Sequence, residues 1–148
     1  MKKIFTKNKD ETIELGNKIG KKIVSPFTIL LEGELASGKT TLTKGIAKGL
    51  GINKVINSPS FTIMKEYEKE NFSFCHFDFY RMEKLGVDFD LEDYLNNSVS
   101  VIEWPYQVKE LIPDNYLLIK INKINEEERE FIFEPHGLKY EEFIQCIH

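Results

Sequence analysis

The sequence has few of the residues that build disulfide-linked or metal-centred proteins. Only two of its 148 residues are cysteines, Cys75 and Cys146, and they lack the CxxC spacing of redox or zinc sites. Both lie in apolar stretches, so we expect them to be reduced core thiols. The three histidines, His76, His136 and His148, lie too far apart in the sequence to indicate a metal cluster. A disulfide framework and a His/Cys metal centre are therefore not expected.

Positive charge and long apolar runs are scarce as well. Lys+Arg 20 against Asp+Glu 24 give a formal net charge of -4 and a pI near 5.5. This balance excludes a broad basic surface that holds nucleic acid by counterion release. No apolar run approaches the roughly 18 residues of a membrane span, and Met1 to Asp10 is charged rather than signal-like. We expect a cytosolic protein with no membrane contact, whose role with RNA, if any, depends on a partner.

The chain does contain enough core-forming residues for a stable domain. It is 41% hydrophobic and 12% aromatic, and a single domain of this length buries roughly 68 to 70% of its unfolded surface. We therefore expect one domain over residues 1–148. Strand and helix patterns interleave along the chain, which predicts an α/β fold with three layers and a sheet that is partly parallel and partly antiparallel.

The predicted elements follow from hydrophobic periodicity and from turn and capping residues. Asn8 and Glu11 form a capping pair before the first helix, and Ser25-Pro26 stops that helix. The predicted strands cover 3–6, 28–32, 61–67, 72–77, 99–102, 116–124 and 130–134. Two hairpins are expected, one of 61–67 with 72–77 and one of 116–124 with 130–134. The first predicted helix begins after residue 8, and the second runs from Thr40 to Gly51. Three more are predicted at 90–95, 105–111 and 140–147.

The strongest local signal is a glycine loop between a predicted strand and a predicted helix. Residues Gly33 to Thr40, GELASGKT, match the P-loop pattern G-x-x-x-x-G-K-[ST]. In such a loop, successive backbone N-H groups and the positive end of the helix dipole face a phosphate. Lys39 would reach the β and γ phosphates, and the Thr40 hydroxyl would ligate Mg²⁺. The pattern thus predicts a P-loop NTPase fold with a nucleotide and magnesium site.

Two acids stand where the magnesium of a P-loop needs a carboxylate. Asp78 follows the apolar run 74–77 and Glu103 follows the run 99–102, so each lies at the end of a predicted strand. Mg²⁺ takes one or two carboxylates together with substrate oxygens and water. One acid could hold the metal while the other orients the attacking water, and the residues alone leave the assignment open.

Three further features allow two interpretations each. The segment Asn57 to Thr62, NSPSFT, is either a switch-like loop that senses γ-phosphate or a Ser/Pro turn that starts a strand. Arg81, one of only two arginines, forms either an exposed salt bridge or a contact to phosphate or a partner. Trp104, beside Glu103, is better interpreted as a core residue or a stacking wall than as a catalyst.

These motifs, in this order, resemble the bacterial TsaE (YjeE) family, the small ATPase component of tRNA threonylcarbamoyladenosine modification. The resemblance consists of the P-loop, SPSFT at 58–62 followed by Glu66-Tyr67, HFDFYR at 76–81, LEDYL at 91–95 and IEWP at 102–105. The last forty residues resemble the family only in their strand pattern. HxDxYR and EWP behind a P-loop are much more specific than the P-loop alone.

The resemblance implies ATP hydrolysis with Mg²⁺ and a complex with the TsaD and TsaB proteins. Their joint product is the modified adenosine beside the anticodon of tRNAs that read codons beginning with A, so contact with tRNA would be indirect. By similarity, Lys39, Asp78 and Glu103 would be catalytic, with Asp78 as the water-orienting or base residue. Thr40 and Glu103 would bind Mg²⁺, and the SPSFT loop would be switch-like. The positions implied in cofactor binding are Thr12 near the base, Gly33, Leu35, Ala36, Ser37, Gly38, Lys39, Thr40, Thr41 and Trp104.

The chain departs from the family's usual pattern in two places. Ala36-Ser37 stands where the P-loop of the family usually has Gly-Ala, and Ser60 replaces the threonine of SPTFT. Ser60 keeps the hydroxyl. Ala36 tightens the loop, because glycine tolerates positive φ and alanine does not.

Besides a partner-linked ATPase, two other functions fit a P-loop: a metabolite kinase and a nucleotide-dependent binding module. A P-loop kinase for a small metabolite usually recruits several lid arginines, whereas this chain has only Arg81 and Arg129. A nucleotide-dependent binding module would hydrolyse ATP slowly and act as a switch on its partners. Partner stimulation of hydrolysis, or transfer of phosphate to a metabolite, would distinguish them.

Overall fold

Seven strands and four helices are interspersed along the described part of the chain. The computed structural model describes residues 1–34, 36–56, 64–79, 91–104 and 112–147. The strands are β1 (Lys2–Thr6), β2 (Phe27–Glu32), β3 (Met64–Glu68), β4 (Ser73–Asp78), β5 (Ser98–Glu103), β6 (Tyr116–Lys123) and β7 (Arg129–His136). The helices are α1 (Lys9–Lys22), α2 (Lys39–Gly49), α3 (Leu91–Asn97) and α4 (Leu138–Gln145).

All seven strands form a single mixed sheet in the order β1-β7-β6-β2-β5-β4-β3. The pairs β2 with β5, β2 with β6 and β4 with β5 are parallel. The pairs β1 with β7, β6 with β7 and β3 with β4 are antiparallel. The central strands are covered on both faces, so all six residues of β5 are buried, its two serines and Glu103 included.

Two apolar clusters, one on each face of the sheet, give the three layers. The larger cluster packs α1, α2 and α4 against alternate residues of β2, such as Ile29 and Leu31. The smaller cluster includes Leu30, which points to the opposite face of β2, and packs Leu95 of α3 against β4 and β5. The predicted α/β fold with a three-layer, mixed sheet is confirmed.

The predicted elements agree with the structure apart from their ends. The predicted cap of α1 is present, since Asn8 Oδ1 accepts a hydrogen bond from Glu11 N at 2.9 Å. The last two predicted strands, 116–124 and 130–134, differ from β6 and β7 at their ends, because β6 ends at Lys123 and β7 runs from Arg129 to His136. The predicted helical turn at 105–111, the SPSFT segment and Arg81 lie outside the described residues. In the described part of the chain, no helix is long and apolar enough to cross a membrane.

One prediction about the cysteines is wrong. Cys75 on β4 is a fully buried core thiol, as expected, and burial raises its pKa to about 11. Cys146 is exposed instead. It follows directly after α4, where the neighbouring Ile147 is buried and takes the apolar position. An apolar stretch on an amphipathic helix therefore does not bury every member.

Helices α1 and α2 meet through glycines. Gly16 and Gly20 of α1 face Gly45 and Gly49 of α2 so closely that a methyl group at any of them would meet backbone of the other helix. A Cβ on Gly45 would lie 2.2 Å from the carbonyl oxygen of Ile13. This close crossing brings the start of α1 against the start of α2, where the glycine loop ends.

We predict that Gly45→Ala destabilises the protein although alanine is the better helix former. In open space this change would stabilise a helix by about 1 kcal/mol. Here the added methyl has to push two backbones apart, so unfolding in urea should show a loss of about 2 kcal/mol or more. Lys48→Ala, at an exposed position of the same helix, should stay within about 0.5 kcal/mol of the parent. A stabilised Gly45→Ala protein would contradict the crossing geometry.

Candidate functional site

The site lies where three parallel strands end side by side. Strand β2 ends at Glu32 and continues into the glycine loop, while Glu103 and Asp78 are the last residues of β5 and β4. Leu31 is in register with Glu103, and Glu103 is in register with Asp78. Parallel strands present their carboxyl ends at one edge of the sheet. The sheet therefore brings both predicted acids to the glycine loop.

Two of the described loop residues have positive φ, which shapes the turn of the loop. Gly38 has φ 112° and Ala36 has φ 62°. The departure noted at Ala36 thus falls on a left-handed position, where a non-glycine residue stores about 1–3 kcal/mol of strain. Between them Ser37 is buried, and its N-H donates to the carbonyl of Glu34 at 3.1 Å. A Cβ on Gly33 would lie 2.6 Å from Ser37 Oγ, so the first glycine gives room for the loop to fold back.

Lys39 is held under the loop by main-chain carbonyls. It is only 6% exposed, and its Nζ donates to the carbonyl oxygens of Gly33 at 2.5 Å and Glu34 at 3.0 Å. Nζ also lies 4.3 Å from the centre of the Trp104 ring. Burial lowers the pKa of Lys39, and the negative charges of Glu103 and Asp78 partly counter this effect. A phosphate oxygen would offer this ammonium a stronger partner than either carbonyl.

Glu103 is buried together with His76. Its side chain is 4% exposed and that of His76 is fully buried, and His76 Nε2 lies 2.5 Å from Glu103 Oε2. A buried carboxylate is costly without a partner, and His76 and the nearby Lys39 supply two. The bond to one oxygen fixes the carboxylate's orientation. The following residue, Trp104, has φ 59°, a strained conformation of the kind that clusters at functional sites.

These groups line a cavity of about 500 Å³. Of the residues that the sequence predicts for the site, ten line it: Thr12, Ala36, Ser37, Gly38, Lys39, Thr40, Thr41, Asp78, Glu103 and Trp104. Thr12 is brought in by α1, and its hydroxyl lies 2.8 Å from that of Thr6 on β1. Gly33 is not a lining residue, although its carbonyl contacts Lys39. Leu35 is outside the described residues.

The cavity also has residues that the sequence reasoning missed. The β6–β7 hairpin contributes Glu126, Glu127 and Arg129, and α1 contributes Lys9. Nothing in the local sequence around Arg129 indicates a site, because it is brought there by the order of strands in the sheet. The placement of His76 could have been predicted from the sequence. It stands two residues before Asp78, and because side chains alternate along a strand, both lie on the same face.

The donor set fits a hard divalent cation. Thr40 offers a hydroxyl in the first turn of α2, and Asp78 and Glu103 offer carboxylates at the same cavity. Within the described ranges no group of three or more His, Cys, Asp or Glu could hold a metal by itself. Oxygen ligands that are few in number are what Mg²⁺ takes when it is bound together with substrate phosphates. Thr40, Asp78 and Glu103 could thus supply ligands to Mg²⁺ that arrives with a polyphosphate.

Comparison with known proteins decides the family. Residues 6–131 match the family model described as threonylcarbamoyl adenosine biosynthesis protein TsaE. The chain belongs to the TsaE family. It is 41% identical to the tRNA threonylcarbamoyladenosine biosynthesis protein TsaE of Bacillus subtilis, over 92% of this chain and 87% of the relative. It is 34% identical to the protein of that name from a Nostoc species, over 97% and 92%.

A solved structure of the family has the same fold. The crystal structure of YdiB from Bacillus subtilis superposes with a TM-score of 0.86 at 33% sequence identity. The match covers 99% of this chain and 93% of the other. The TsaE resemblance of the motifs is confirmed by the family model and the relatives, and the likeness to the solved structure includes the C-terminal hairpin and helix.

The left-handed Ala36 gives a prediction about stability. Ala36→Gly removes the steric cost of φ 62°, and we expect it to stabilise the protein by about 1 kcal/mol in urea unfolding, after allowing for glycine's greater chain entropy. Ala47→Gly is the matched control, because Ala47 is buried within α2. It should destabilise by about 1 kcal/mol or more. A loss of stability in both variants would mean that Ala36 carries no backbone strain.

Proposed function

We propose that this protein binds ATP together with Mg²⁺ and hydrolyses it in support of TsaD and TsaB, which form threonylcarbamoyladenosine beside the anticodon. The observation that carries the proposal is the convergence of the P-loop, Glu103 and Asp78 at the ends of three adjacent strands. Membership of the TsaE family supplies the pathway. The acidic balance of the chain favours action on tRNA through those partners rather than by direct binding.

Each residue has a role that its surroundings support. Lys39 would exchange its carbonyl partners for phosphate oxygens, and the loop amides would surround the remaining ones. Thr40 and Glu103 would hold Mg²⁺, which supplies positive charge against the developing negative charge of the phosphates. Asp78, half-buried beside Glu103, would orient the attacking water and accept its proton. Thr12 and Trp104 would line the nucleotide.

Glu103 is suited to the metal and Asp78 to the water because their environments differ. His76 fixes the orientation of Glu103, and partners of this kind hold metal ligands in place. Asp78 lies on the neighbouring strand, one strand further from the P-loop. We infer that a carboxylate one strand further away acts through a water rather than as a direct metal ligand.

A small-metabolite kinase remains the alternative. Such an enzyme needs arginines that are offered to the transferred phosphoryl group. Arg129 instead donates to main-chain carbonyls of Ser37, Asn125, Glu126 and Glu128. This arrangement supports water as the acceptor. The assay below includes the alternative, since phosphate transferred to a metabolite would replace the release of inorganic phosphate.

The first test of the function is a steady-state ATPase assay of the full chain with and without TsaD and TsaB. We expect phosphate release that rises when both partners are present. Lys39→Met should lower it about a hundredfold or more, since the neutral side chain fills the same space without the charge that contacts phosphate. Lys48→Met, an exposed change on the same helix, should retain full activity. Equal activity of the Lys39 variant, or no effect of the partners, would overturn the proposal.

A second test separates the two acids. Glu103→Gln should raise the Mg²⁺ concentration needed for half-maximal activity about tenfold or more, because it removes a charged ligand. Asp78→Asn should leave that concentration nearly unchanged and lower the maximal rate, because it removes the base. A magnesium titration of each variant at saturating ATP measures both quantities. The reverse pattern would exchange the two roles.

A further inference from the structure

The hairpin between β6 and β7 reaches across to the P-loop through one side chain. Arg129 is the first residue of β7, and its Nε donates to the carbonyl oxygen of Ser37 at 2.8 Å. The two residues are 92 positions apart in the chain. The guanidinium also packs against the loop, since a Cβ on Gly38 would lie 3.7 Å from Nε. One arginine therefore links a distant turn to the centre of the phosphate-binding loop.

The turn that carries Arg129 is ordered by its own hydrogen bonds. Asn125 Oδ1 accepts from the N-H groups of Glu127 at 3.0 Å and Glu128 at 2.8 Å. Arg129 Nη1 donates to the carbonyls of Asn125 at 2.6 Å and Glu128 at 2.9 Å, and Nη2 donates to that of Glu126 at 3.3 Å. Because three carbonyls fix the guanidinium, Nε is presented to Ser37 in a set direction.

The bond to Ser37 matters because of what lies on the other side of the same peptide. In a trans peptide the C=O of one residue and the N-H of the next point in opposite directions. Holding the carbonyl of Ser37 toward the hairpin therefore turns the N-H of Gly38 away from it. Gly38, which follows this peptide, has positive φ, and so does Ala36, the residue before Ser37. The hydroxyl of Ser37, which has no hydrogen-bond partner within the described residues, gives no help in orienting it.

We propose that Arg129 is a positioning residue of the P-loop, which holds the Ser37–Gly38 peptide so that the Gly38 N-H faces the phosphates and thereby sets nucleotide affinity. The inference rests on the proposed nucleotide function and adds the β6–β7 turn to the site. ADP and ATP share the phosphates that loop amides contact. Loss of the anchor should therefore weaken both nucleotides by the same factor.

Calorimetric titration of the full chain with ADP and with Mg-ATP tests this. Arg129→Met should weaken both nucleotides about tenfold or more, as expected when a hydrogen bond from a charged group is lost. Arg129→Lys keeps the charge but lacks the planar guanidinium that donates to the turn and to the loop at once. The affinity of this variant for both nucleotides should therefore fall nearly as far. Lys123→Met removes a charge from the same hairpin, where Lys123 pairs with the exposed Glu126 at 3.4 Å, and should change affinity less than twofold.

A second readout does not depend on nucleotide. The amide resonance of Gly38 in the nucleotide-free protein should move in Arg129→Met and Arg129→Lys and stay in place in Lys123→Met. A variant that merely loosened the hairpin would move resonances of residues 124–128 but not that of Gly38.

The outcomes separate the inference from the function on which it rests. Parent-like affinities of Arg129→Lys would mean that only charge matters, and selective loss of ATP would mean direct contact with the last phosphate. Either result overturns the positioning role while the nucleotide function stands. If the parent protein bound no nucleotide, the proposed function would fail, and the Gly38 resonance would still decide the orientation of the peptide.

Discussion

The parallel pairing of β2, β5 and β4 is the constraint on which the rest of the site depends. Its register sets Leu31 beside Glu103 and Glu103 beside Asp78. The ladder continues one residue beyond the strands, where Phe79 N donates to the carbonyl of Glu103 at 3.1 Å. A slip of one residue in either pair would turn a carboxylate to the opposite face of the sheet. The hydrophobic pattern that buries these strands therefore also determines which side chains meet at their ends.

The glycine crossing of α1 and α2 sets the other wall of the site. Because no side chains separate the helices at Gly16, Gly20, Gly45 and Gly49, α1 lies as close to α2 as backbone contact allows. The start of α1 then brings Thr12 and Lys9 to the same cavity as the start of α2. Packing of small residues and placement of functional ones are thus two results of one helix contact.

Much of this arrangement can be predicted from sequence because its signals are local. The P-loop carries its own spacing, and Asp78 and Glu103 each follow an apolar run, so chain order alone indicates strand, loop, helix and strand-end acids. Arg129 could not be found this way, because its contact with Ser37 depends on β6 joining β2 on the side opposite β5. Exposure of Cys146 was missed for a similar reason, since only tertiary packing decides which face of α4 is covered.

The strain in the loop and the anchor on its far side belong together. Ala36 and Trp104 both have positive φ, and such conformations persist only where the surroundings fix them. For the loop the fixing contacts are Lys39 from within, at the carbonyls of Gly33 and Glu34, and Arg129 from the hairpin. Both are cations that donate to carbonyls, so three carbonyl groups of the loop, those of Gly33, Glu34 and Ser37, are already occupied.

The charges of the cavity lining define what such an anion has to bring with it. Three cations, Lys9, Lys39 and Arg129, face four carboxylates, those of Asp78, Glu103, Glu126 and Glu127. Lys39 is desolvated and gains from a phosphate, whereas Arg129 already serves four carbonyls. A bare polyphosphate would therefore meet a lining with more negative than positive charge. A nucleotide accompanied by a divalent cation would find possible ligands among the same carboxylates, so the acids that would repel the free anion would favour its metal complex.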